Sequence, residues 1–439
     1  MKLCMIGTGY VGLVSGVCFS DLGNNVICVD KDINKINLLK KGKIPIYEPG
    51  LSELVLKNYK NKRLTFSSDL KTSIKNSDII FICVGTPTKK GGSSADLTQI
   101  YNVAKELSLS INRFKIIITK STVPVTTGDE IEKILSKKNS KNKFAVVSNP
   151  EFLREGEAIR DFTYPDRIVI GSNDKKSNKI LKNLYAPLIS KGAQYLHTSR
   201  RASELIKYAS NAFLATKITF VNELANLCEK TDINIEDISI GMGLDKRIGS
   251  RFLRAGPAYG GSCFPKDTQA LVRIAQEHGA SSRIVEAVIE VNEAQKARMI
   301  KKIRSALGGN ERGKKLAVLG LTFKPETDDM RDAPSLAILP KLIENGCQIN
   351  AHDPRGIDEA KSLLPSEIQY HDDIYSSVNN ADAVVLMTEW NMYRNLDMDV
   401  IKEKLKQPVF IDLRNVYEPD AMRSLGFEYH CIGRLKQYE

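Results

Sequence analysis

The amino-acid sequence predicts an α/β protein in which two lobes, each built on a parallel sheet, are joined by a long central helix and a helical middle domain. Three observations lead to this prediction. Short apolar strands alternate with helical patterns through the first third of the chain, a long helical period follows, and a strand–turn–helix pattern begins again in the last third. Because such alternation is typical of sheets covered on both faces, we expect both lobes to be doubly wound and Rossmann-like.

The first lobe opens with strands that are short and apolar, as expected inside a parallel sheet. They are predicted at Lys2–Ile6, Asn25–Val29, Ile79–Val84, Lys115–Thr119 and Phe144–Ser148. Helices are predicted between them, for example at Val11–Leu22 and Leu97–Leu109.

The middle of the chain is helical. Between Ser203 and about Lys230, apolar residues recur with a helical period and without proline or glycine, and Ser203 is the predicted N-cap. At 1.5 Å per residue this helix is about 40 Å long, enough to join two lobes and to pack against a second subunit. Further helices are predicted at Asp267–His278 and Ser282–Ala306.

The last third repeats the opening pattern. A strand at Lys315–Leu319, a helix at Pro334–Glu344 and a strand at Gln348–Ala351 lead to Asp353, much as the second strand of the first lobe leads to Asp30. The predicted domains are residues 1–200, a helical domain of residues 201–307, and residues 308–439.

The bulk composition excludes several classes of function. The net charge is +12, but the lysines are spread along all 439 residues, so we expect a small anionic substrate rather than nucleic acid. No apolar run reaches the roughly 20 residues that span a bilayer, and the N-terminus lacks a signal-peptide pattern, so we expect a cytoplasmic protein that does not contact a membrane. The eight cysteines and five histidines show no disulfide or metal-ligand spacing.

A glycine motif indicates the cofactor. Gly7-Thr8-Gly9-Tyr10-Val11-Gly12 directly follows a predicted strand and opens a helix. In that position the three glycines allow a tight turn, close approach to a pyrophosphate, and close helix–strand packing. Asp30 ends the next strand, where a carboxylate accepts from ribose hydroxyls and repels a 2′-phosphate. We therefore predict that the first lobe binds NAD.

The second lobe lacks this cradle. Gly320 is followed by bulky residues up to Lys324, which could meet a phosphate as a point charge. We expect this lobe to hold the nucleotide part of a substrate rather than a second NAD.

Cys263 is the candidate nucleophile. It lies in the turn Gly260-Gly261-Ser262-Cys263-Phe264-Pro265-Lys266-Asp267, where glycines let the backbone approach a ligand and Lys266 favours a thiolate. The alternative is an ordinary cysteine in a turn that leads into a helix.

Other polar residues fall where a ligand is expected. Lys207 and Asn211 share one face of the long helix, where they could stabilise an alkoxide, although a solvated face is the commoner case. Asn149–Gly156, Gly85–Pro87 and Lys120–Pro124 follow strands, and such segments face the ligand crevice of a parallel sheet. Glu151 is a candidate base for activating water.

Taken together, the motifs resemble the UDP-glucose 6-dehydrogenase family, part of the UDP-glucose/GDP-mannose dehydrogenases. They are G-x-G-Y-V-G, G-T-P, K-S-T-V-P-V, N-P-E-F-L-R-E-G, K-x-x-x-N, G-G-S-C-F-P-K-D and F-K-P-x-T-D-D-M-R, in that order along nearly the whole chain. The resemblance implies a homodimer that oxidises C6 of UDP-glucose twice with two NAD, giving UDP-glucuronate. It implies that Cys263 carries a thiohemiacetal and then a thioester.

The resemblance also implies roles for individual residues. Lys207 and Asn211 would stabilise oxyanions, and Asp267, Thr122 and Glu151 would activate water. Residues that would contact NAD are Gly7, Gly9, Val11, Gly12, Asp30, Lys35, Thr86, Ser121, Glu155, Lys266 and Arg331. Residues that would contact the sugar nucleotide are Glu151, Phe152, Leu153, Arg154, Glu155, Lys207, Asn211, Phe252, Leu253, Arg254, Ala255, Gly256, Gly260 and Lys324, with Arg247 offered to the substrate of a neighbouring subunit.

Three alternatives remain open at this point. The same chemistry could act on GDP-mannose or a UDP-N-acetylhexosamine. A two-electron β-hydroxyacid dehydrogenase also pairs Lys with Asn on a helix, but it needs neither Cys263 nor a second α/β lobe. A non-catalytic nucleotide-binding protein would have no reason to hold Cys263, Lys207 and Asp267.

Overall fold

The computed structural model describes residues 1–89, 92, 94–140 and 143–434, so the last five residues of the predicted third domain lie outside it. The chain forms two compact units. The N-terminal unit comprises Met1–Ser210 and Arg273–Ala280, and the C-terminal unit comprises Asn211–Val272 and Ser281–Glu439. The division into three domains stays a prediction.

The N-terminal unit is built on an eight-stranded sheet in the order β3-β2-β1-β4-β5-β6-β7-β8. Its strands are β1 (Lys2–Ile6), β2 (Asn25–Val29), β3 (Leu64–Ser67), β4 (Ile79–Ile82), β5 (Lys115–Thr119), β6 (Phe144–Ser148), β7 (Arg167–Gly171) and β8 (Gln194–Thr198). Neighbouring strands are parallel except β6 and β7, which are antiparallel. In β1, Leu3 and Met5 pack into one apolar cluster while Cys4 and Ile6 pack into another, so both faces of the sheet are buried.

Helices follow most of these strands, as the sequence predicts for a doubly wound lobe. They are α1 (Tyr10–Asp21), α2 (Ile33–Lys40), α3 (Leu51–Lys60), α4 (Leu70–Asn76), α5 (Thr98–Ser110), α6 (Thr127–Ser136), α7 (Ala158–Thr163), α8 (Lys175–Leu184) and α9 (Ala186–Ile189). The predicted doubly wound class is confirmed.

The long helix α10 (Arg200–Thr231) has 32 residues and begins earlier than predicted. Ser203 is not its N-cap, because its hydroxyl is buried and donates to the carbonyl of Ser148 at 2.9 Å. Ser199 takes that role instead, since its side chain accepts from the N–H of Ala202 at 3.2 Å. The predicted N-cap was wrong because Ser203 is used to dock the helix on β6.

The C-terminal unit contains a six-stranded parallel sheet in the order β11-β10-β9-β12-β13-β14. Its strands are β9 (Lys315–Leu319), β10 (Gln348–His352), β11 (Gln369–Tyr370), β12 (Ala383–Leu386), β13 (Val409–Asp412) and β14 (Glu428–His430). This order repeats that of β3-β2-β1-β4-β5-β6, so the predicted second Rossmann-like lobe is confirmed.

The remaining helices follow in chain order, with a short 3-10 helix at Asn391–Asn395. They are α11 (Ile235–Leu244), α12 (Phe264–Glu277), α13 (Arg283–Ala306), α14 (Pro334–Glu344), α15 (Ile357–Leu363), α16 (Ile374–Val378), α17 (Met398–Lys404) and α18 (Pro419–Ser424). Within the described residues, no helix is both long enough and apolar enough to cross a membrane.

Candidate active site

The glycine turn between β1 and α1 has the geometry of a pyrophosphate cradle. Gly7 has φ +101°, and a Cβ there would lie 2.7 Å from the Cys83 carbonyl oxygen. A Cβ on Gly12 would lie only 1.9 Å from the Gly7 carbonyl oxygen, so α1 can pack against the turn only without a side chain at that position. A Cβ on Gly9 would meet nothing within 4 Å, which leaves the N-terminus of α1 open to an anion.

Asp30 is fixed at the end of β2, beside this turn. Its carboxylate accepts from the N–H and the hydroxyl of Thr8, at 2.8 and 2.7 Å, and from the N–H of Asp32 at 3.1 Å. Burial acts to raise the pKa of Asp30, but these hydrogen bonds and the charge of Lys35 outweigh it and hold the pKa below its usual value. The group is therefore anionic and oriented, as a ribose ligand requires.

Gly9, where a Cβ would have free space, and Gly12, where a Cβ would clash, give a matched pair of predictions. Gly9→Ala should fold with an unchanged melting temperature but weaken NADH binding about tenfold or more, because the new methyl lies where the pyrophosphate approaches. Gly12→Ala should lower the melting temperature by several degrees, since overpacking costs about 1–3 kcal/mol. Thermal melts and NADH fluorescence titrations check both; equal loss of stability in the two variants would contradict the assignment.

The predicted residues on the next two strand ends come together. The Thr86 hydroxyl donates to the Thr122 carbonyl at 2.9 Å, and the Ser121 hydroxyl donates to the Val84 carbonyl at 2.7 Å. Because β4 and β5 are neighbours, these contacts join the segments that follow them into one rim.

Glu151 and Lys207 form a buried ion pair. Glu151 Oε1 accepts from Lys207 Nζ at 3.0 Å, and both side chains are at most 6% exposed. Glu151 Oε2 accepts from the N–H of Leu153 at 2.5 Å, which folds the loop after β6 around the carboxylate. The Phe152 ring lies under the Lys207 ammonium, 5.4 Å from its centroid. The loop is pinned further along by Arg154, which pairs with Asp161 at 2.6 Å.

Lys120 lies in the same part of the unit and was not singled out from the sequence. It is buried, its ammonium donates to Asn149 Oδ1 at 3.4 Å, and burial lowers its pKa to about 8. Glu151 acts to raise that pKa and Lys207 acts to lower it. In the sequence, Lys120 is marked only by its position directly after a strand. Its burial, which distinguishes it from a surface lysine, becomes visible only in the structure.

Cys263 differs from the other cysteines of the chain. The other seven are buried, whereas Cys263 is partly exposed. It directly precedes α12, whose first turn is closed by a hydrogen bond of 2.9 Å from the Asp267 N–H to the Cys263 carbonyl. Partial exposure at a helix N-terminus favours the thiolate.

Asp267 connects the other candidates of the C-terminal unit. One carboxylate oxygen accepts from Asn211 Nδ2 at 2.6 Å and the other from Lys266 Nζ at 2.5 Å. The Asp267 side chain is 1% exposed. The structure therefore brings Cys263, Lys266, Asp267 and Asn211 together around the first turn of α12.

The predicted substrate segment from Phe252 to Gly260 is held by buried amides that the sequence did not reveal. Asn222 accepts from the N–H of Gly256 at 2.8 Å, Gln295 donates to the Gly256 carbonyl at 3.0 Å, and Asn292 accepts from the N–H of Tyr259 at 2.9 Å. Polar residues at core positions of helices α10 and α13 were the available signal. Leu253, Ala255 and Gly256 are buried, and Arg254 is exposed.

Gly260 has no room for a side chain, because a Cβ there would lie 2.3 Å from the Asp332 carbonyl oxygen. Phe252 adopts a left-handed φ of +65°. The Gly260 end of the segment is thus packed closely against Asp332.

The second lobe does not reproduce the dinucleotide cradle. Asp353, the counterpart of Asp30, is buried and accepts from the N–H groups of Leu321, Thr322 and Gly356. Asp353 is therefore less accessible to a ribose than Asp30, which is partly exposed. Lys324 is partly exposed beside the Phe323 ring, and Arg331 is exposed and pairs with Asp329 at 2.8 Å.

Arg247 is highly exposed and pairs with Asp245 at 2.6 Å. No group of three or more His, Cys, Asp or Glu side chains suited to a metal ion occurs among the described residues. The strand order, the glycine turn and the anionic Asp30 together define the class: a Rossmann-type protein with a dinucleotide-binding lobe and a second lobe of the same strand order.

Comparison with known proteins identifies the family. Three models of the UDP-glucose/GDP-mannose dehydrogenase family match the chain: the NAD binding domain at residues 1–189, the central domain at residues 201–294 and the UDP binding domain at residues 317–419. The chain therefore belongs to the UDP-glucose/GDP-mannose dehydrogenase family.

Relatives match over almost the whole length. UDP-glucose 6-dehydrogenase of Rhizobium meliloti is 52% identical, with 99% of this chain and 100% of the relative covered. UDP-glucose 6-dehydrogenase TuaD of Bacillus subtilis is 46% identical, with 99% and 93% covered. A UDP-glucose dehydrogenase structure from Pyrobaculum islandicum superposes with a TM-score of 0.90 at 36% identity, covering 98% of this chain and 96% of that one.

Proposed function

We propose that this enzyme oxidises C6 of UDP-glucose to the carboxylate of UDP-glucuronate through a thioester on Cys263. The observation that carries the proposal is the single partly exposed cysteine at the N-terminus of α12, next to Lys266 and Asp267. The names of relatives that cover the whole chain support the choice of substrate.

The Gly7–Gly12 turn would hold NAD, which would supply the hydride acceptor for both oxidations, so two would be consumed per substrate. In the first oxidation, the C6 hydroxyl gives its proton to solvent while the ammonium of Lys207 and the amide of Asn211 stabilise the alkoxide. Glu151 holds Lys207 in place, and Asp267 holds the Asn211 amide with its N–H donors oriented.

Cys263 then traps the aldehyde. The thiolate adds to C6, which forms a C–S bond and a thiohemiacetal whose oxygen is stabilised by the same ammonium. Loss of the second hydride from C6 converts this adduct to a thioester. The helix N-terminus and Lys266 favour the thiolate form of Cys263, which is the form that adds to the aldehyde.

Hydrolysis completes the reaction. Water adds to the thioester carbonyl, the C–S bond breaks, and the thiol and a carboxylate are released. We assign activation and placement of this water to Glu151, Asp267 and Thr122.

We assign substrate binding to three segments: the loop Glu151–Glu155, the fixed segment Phe252–Gly256 with Gly260, and Lys324 of the second lobe. Buried amides hold the second of these segments in one conformation, which supports a role in recognition rather than a mobile loop. Val11, Lys35, Thr86, Ser121, Glu155, Lys266 and Arg331 are assigned to NAD.

A substrate panel tests the proposal. The enzyme is incubated with NAD and, separately, UDP-glucose, GDP-mannose and two UDP-N-acetylhexosamines, and the products are identified by mass spectrometry. We expect UDP-glucuronate, with kcat/KM for UDP-glucose at least about a hundredfold above the others. If the enzyme oxidises another nucleotide sugar preferentially, the proposed substrate is wrong, but the proposed chemistry still stands. NAD binding without any oxidation would favour a non-catalytic protein.

We further propose a homodimer formed through α10. Phe213, Phe220 and Leu227 are exposed at a spacing of seven residues along that helix, and Phe213 is 66% exposed. Ile240 and Leu244 of α11 are exposed as well. A row of large apolar side chains repeating every seven residues on a long helix fits the same row on a second copy of the chain.

Complementation tests the dimer and the role of Arg247 together. Arg247→Ala and Cys263→Ala should each be inactive alone, because one lacks the arginine offered to the partner and the other lacks the nucleophile. Unfolded together and refolded, the mixture should recover about a quarter of wild-type activity, since each mixed dimer keeps one intact site. Phe220→Glu should yield monomers by light scattering, whereas Glu223→Lys on the same helix should not. No recovery from the mixture would contradict a shared site.

The proposed location is the cytoplasm. NAD and nucleotide sugars are soluble metabolites, and the eight cysteines of the chain are present as thiols, as expected in a reducing compartment.

A further inference from the structure

Glu48 is a buried carboxylate that none of the assigned roles uses. It lies between α2 and α3 and is 7% exposed. Glu48 Oε1 accepts from the N–H of Ala158 at 2.7 Å, and Oε2 accepts from the N–H of Gly156 at 2.7 Å. Oε2 also accepts from the hydroxyl of Tyr10. Both oxygens are therefore engaged by residues far away in the sequence.

These partners adjoin the two loops on which the proposed function depends most, the cofactor turn and the loop Glu151–Gly156. Tyr10 is the first residue of α1, directly after Gly9 of the cofactor turn. Gly156 ends the loop that begins at Glu151, and it also donates to the Tyr10 hydroxyl at 2.8 Å. Burial and the Glu48 hydrogen bond raise the pKa of Tyr10, so the phenol keeps its proton and remains a donor.

A helix cap alone does not explain this arrangement. Ala158 and Gly156 lie at the N-terminus of α7, where a carboxylate is favoured. However, α7 has only six residues, and capping requires neither Tyr10 nor a residue 108 positions away in the chain. The contact with Tyr10 links the cap to the cofactor turn.

We propose that Glu48 is a positioning residue that locks the loop Glu151–Gly156 to the start of α1, so that the sugar carbon is presented in register with the cofactor. This inference rests on the proposed function, because it concerns the same site. Displacing a reacting group by about 1 Å costs up to about a hundredfold in rate. Loosening the loop should therefore affect turnover more than cofactor binding.

Glu48→Gln tests the proposal with nearly unchanged shape. The amide nitrogen of Gln cannot accept from a backbone N–H. One of the two hydrogen bonds to the loop is therefore replaced by a repulsive contact between two donors. We expect kcat/KM for the sugar nucleotide to fall about thirtyfold or more, mostly in kcat, while the Kd of NADH, measured by fluorescence without sugar, stays within about twofold. Glu53→Gln, an exposed glutamate in the first turn of α3, is the matched control and should change neither value.

Tyr10→Phe provides the second arm. It leaves the two backbone contacts of Glu48 intact and removes only the link to α1, so kcat should fall by about three- to tenfold with an unchanged melting temperature. In the Glu48→Gln background the same change should add less than it does alone, because both residues belong to one hydrogen-bond network. A fall in the melting temperature of Glu48→Gln with unchanged kcat/KM would mean that Glu48 is only a helix cap, and would overturn the proposal. Equal losses in NADH affinity and in turnover would also overturn it.

The comparison uses whichever nucleotide sugar the wild-type enzyme oxidises best. A different preferred sugar would therefore refute the proposed substrate without affecting the result for Glu48.

Discussion

Cys263→Ser is expected to stop the reaction after the first oxidation. Serine lacks the thiol nucleophile and cannot form the thioester, so formation of the carboxylate should fall by about a thousandfold or more. In single turnover we expect at most one NADH per UDP-glucose consumed, compared with two for the wild-type enzyme. NADH absorbance combined with product analysis by mass spectrometry measures both quantities.

Ser262→Ala is the matched control for this prediction, because it alters the neighbouring hydroxyl, 3.5 Å from the Cys263 sulfur, and leaves the thiol in place. It should retain two NADH per substrate. Full activity in Cys263→Ala, or one NADH per substrate in the wild-type enzyme, would contradict the thioester route.

Lys207→Met is expected to have the second largest effect. The ammonium is the proposed stabiliser of successive oxyanions, and loss of one such group lowers kcat by about a hundred- to a thousandfold. The variant should also lose about 3–5 kcal/mol of stability, because the buried Glu151 carboxylate is left without its partner.

A second substitution separates the two effects. Adding Glu151→Gln to Lys207→Met removes the unpaired charge, so much of the lost stability should return while activity stays low. Lys230→Met, an exposed lysine at the other end of the same helix, should change neither stability nor kcat. Denaturant unfolding and steady-state kinetics measure these outcomes. Recovery of activity in the double variant would exclude Lys207 as the stabilising group.

Local patterns made NAD as the cofactor predictable. The glycines of the turn and Asp30 form a motif through their spacing along the chain, so the motif is visible without tertiary contacts, and the roles of its residues stay a prediction. The sequence also placed the opening strands, since β1, β2, β5 and β6 have the predicted bounds. Strands such as β3, β8 and β14 were not predicted, because they are short and carry polar or exposed residues.

The rest of the site depends on contacts between distant residues. Glu151 and Lys207 are 56 positions apart, and only the fold turns two ordinary charged residues into a buried pair. Asp30 and Asp353 occupy matching places in the sequence pattern, and both accept from backbone N–H groups of their own lobe, yet Asp353 is buried whereas Asp30 is partly exposed. Ser203 shows the same limit, since its capping signal was overridden by a contact with β6.

The central claim is that Cys263 carries the sugar as a covalent intermediate. The most direct test is rapid acid quench of the Glu151→Gln variant with UDP-glucose and NAD, because impaired water activation should let the thioester accumulate. Peptide mass spectrometry should then find the mass of a UDP-glucuronyl group on the peptide containing Cys263, and hydroxylamine should release it. Formation of two NADH per substrate with no adduct on that peptide at any time would contradict the account.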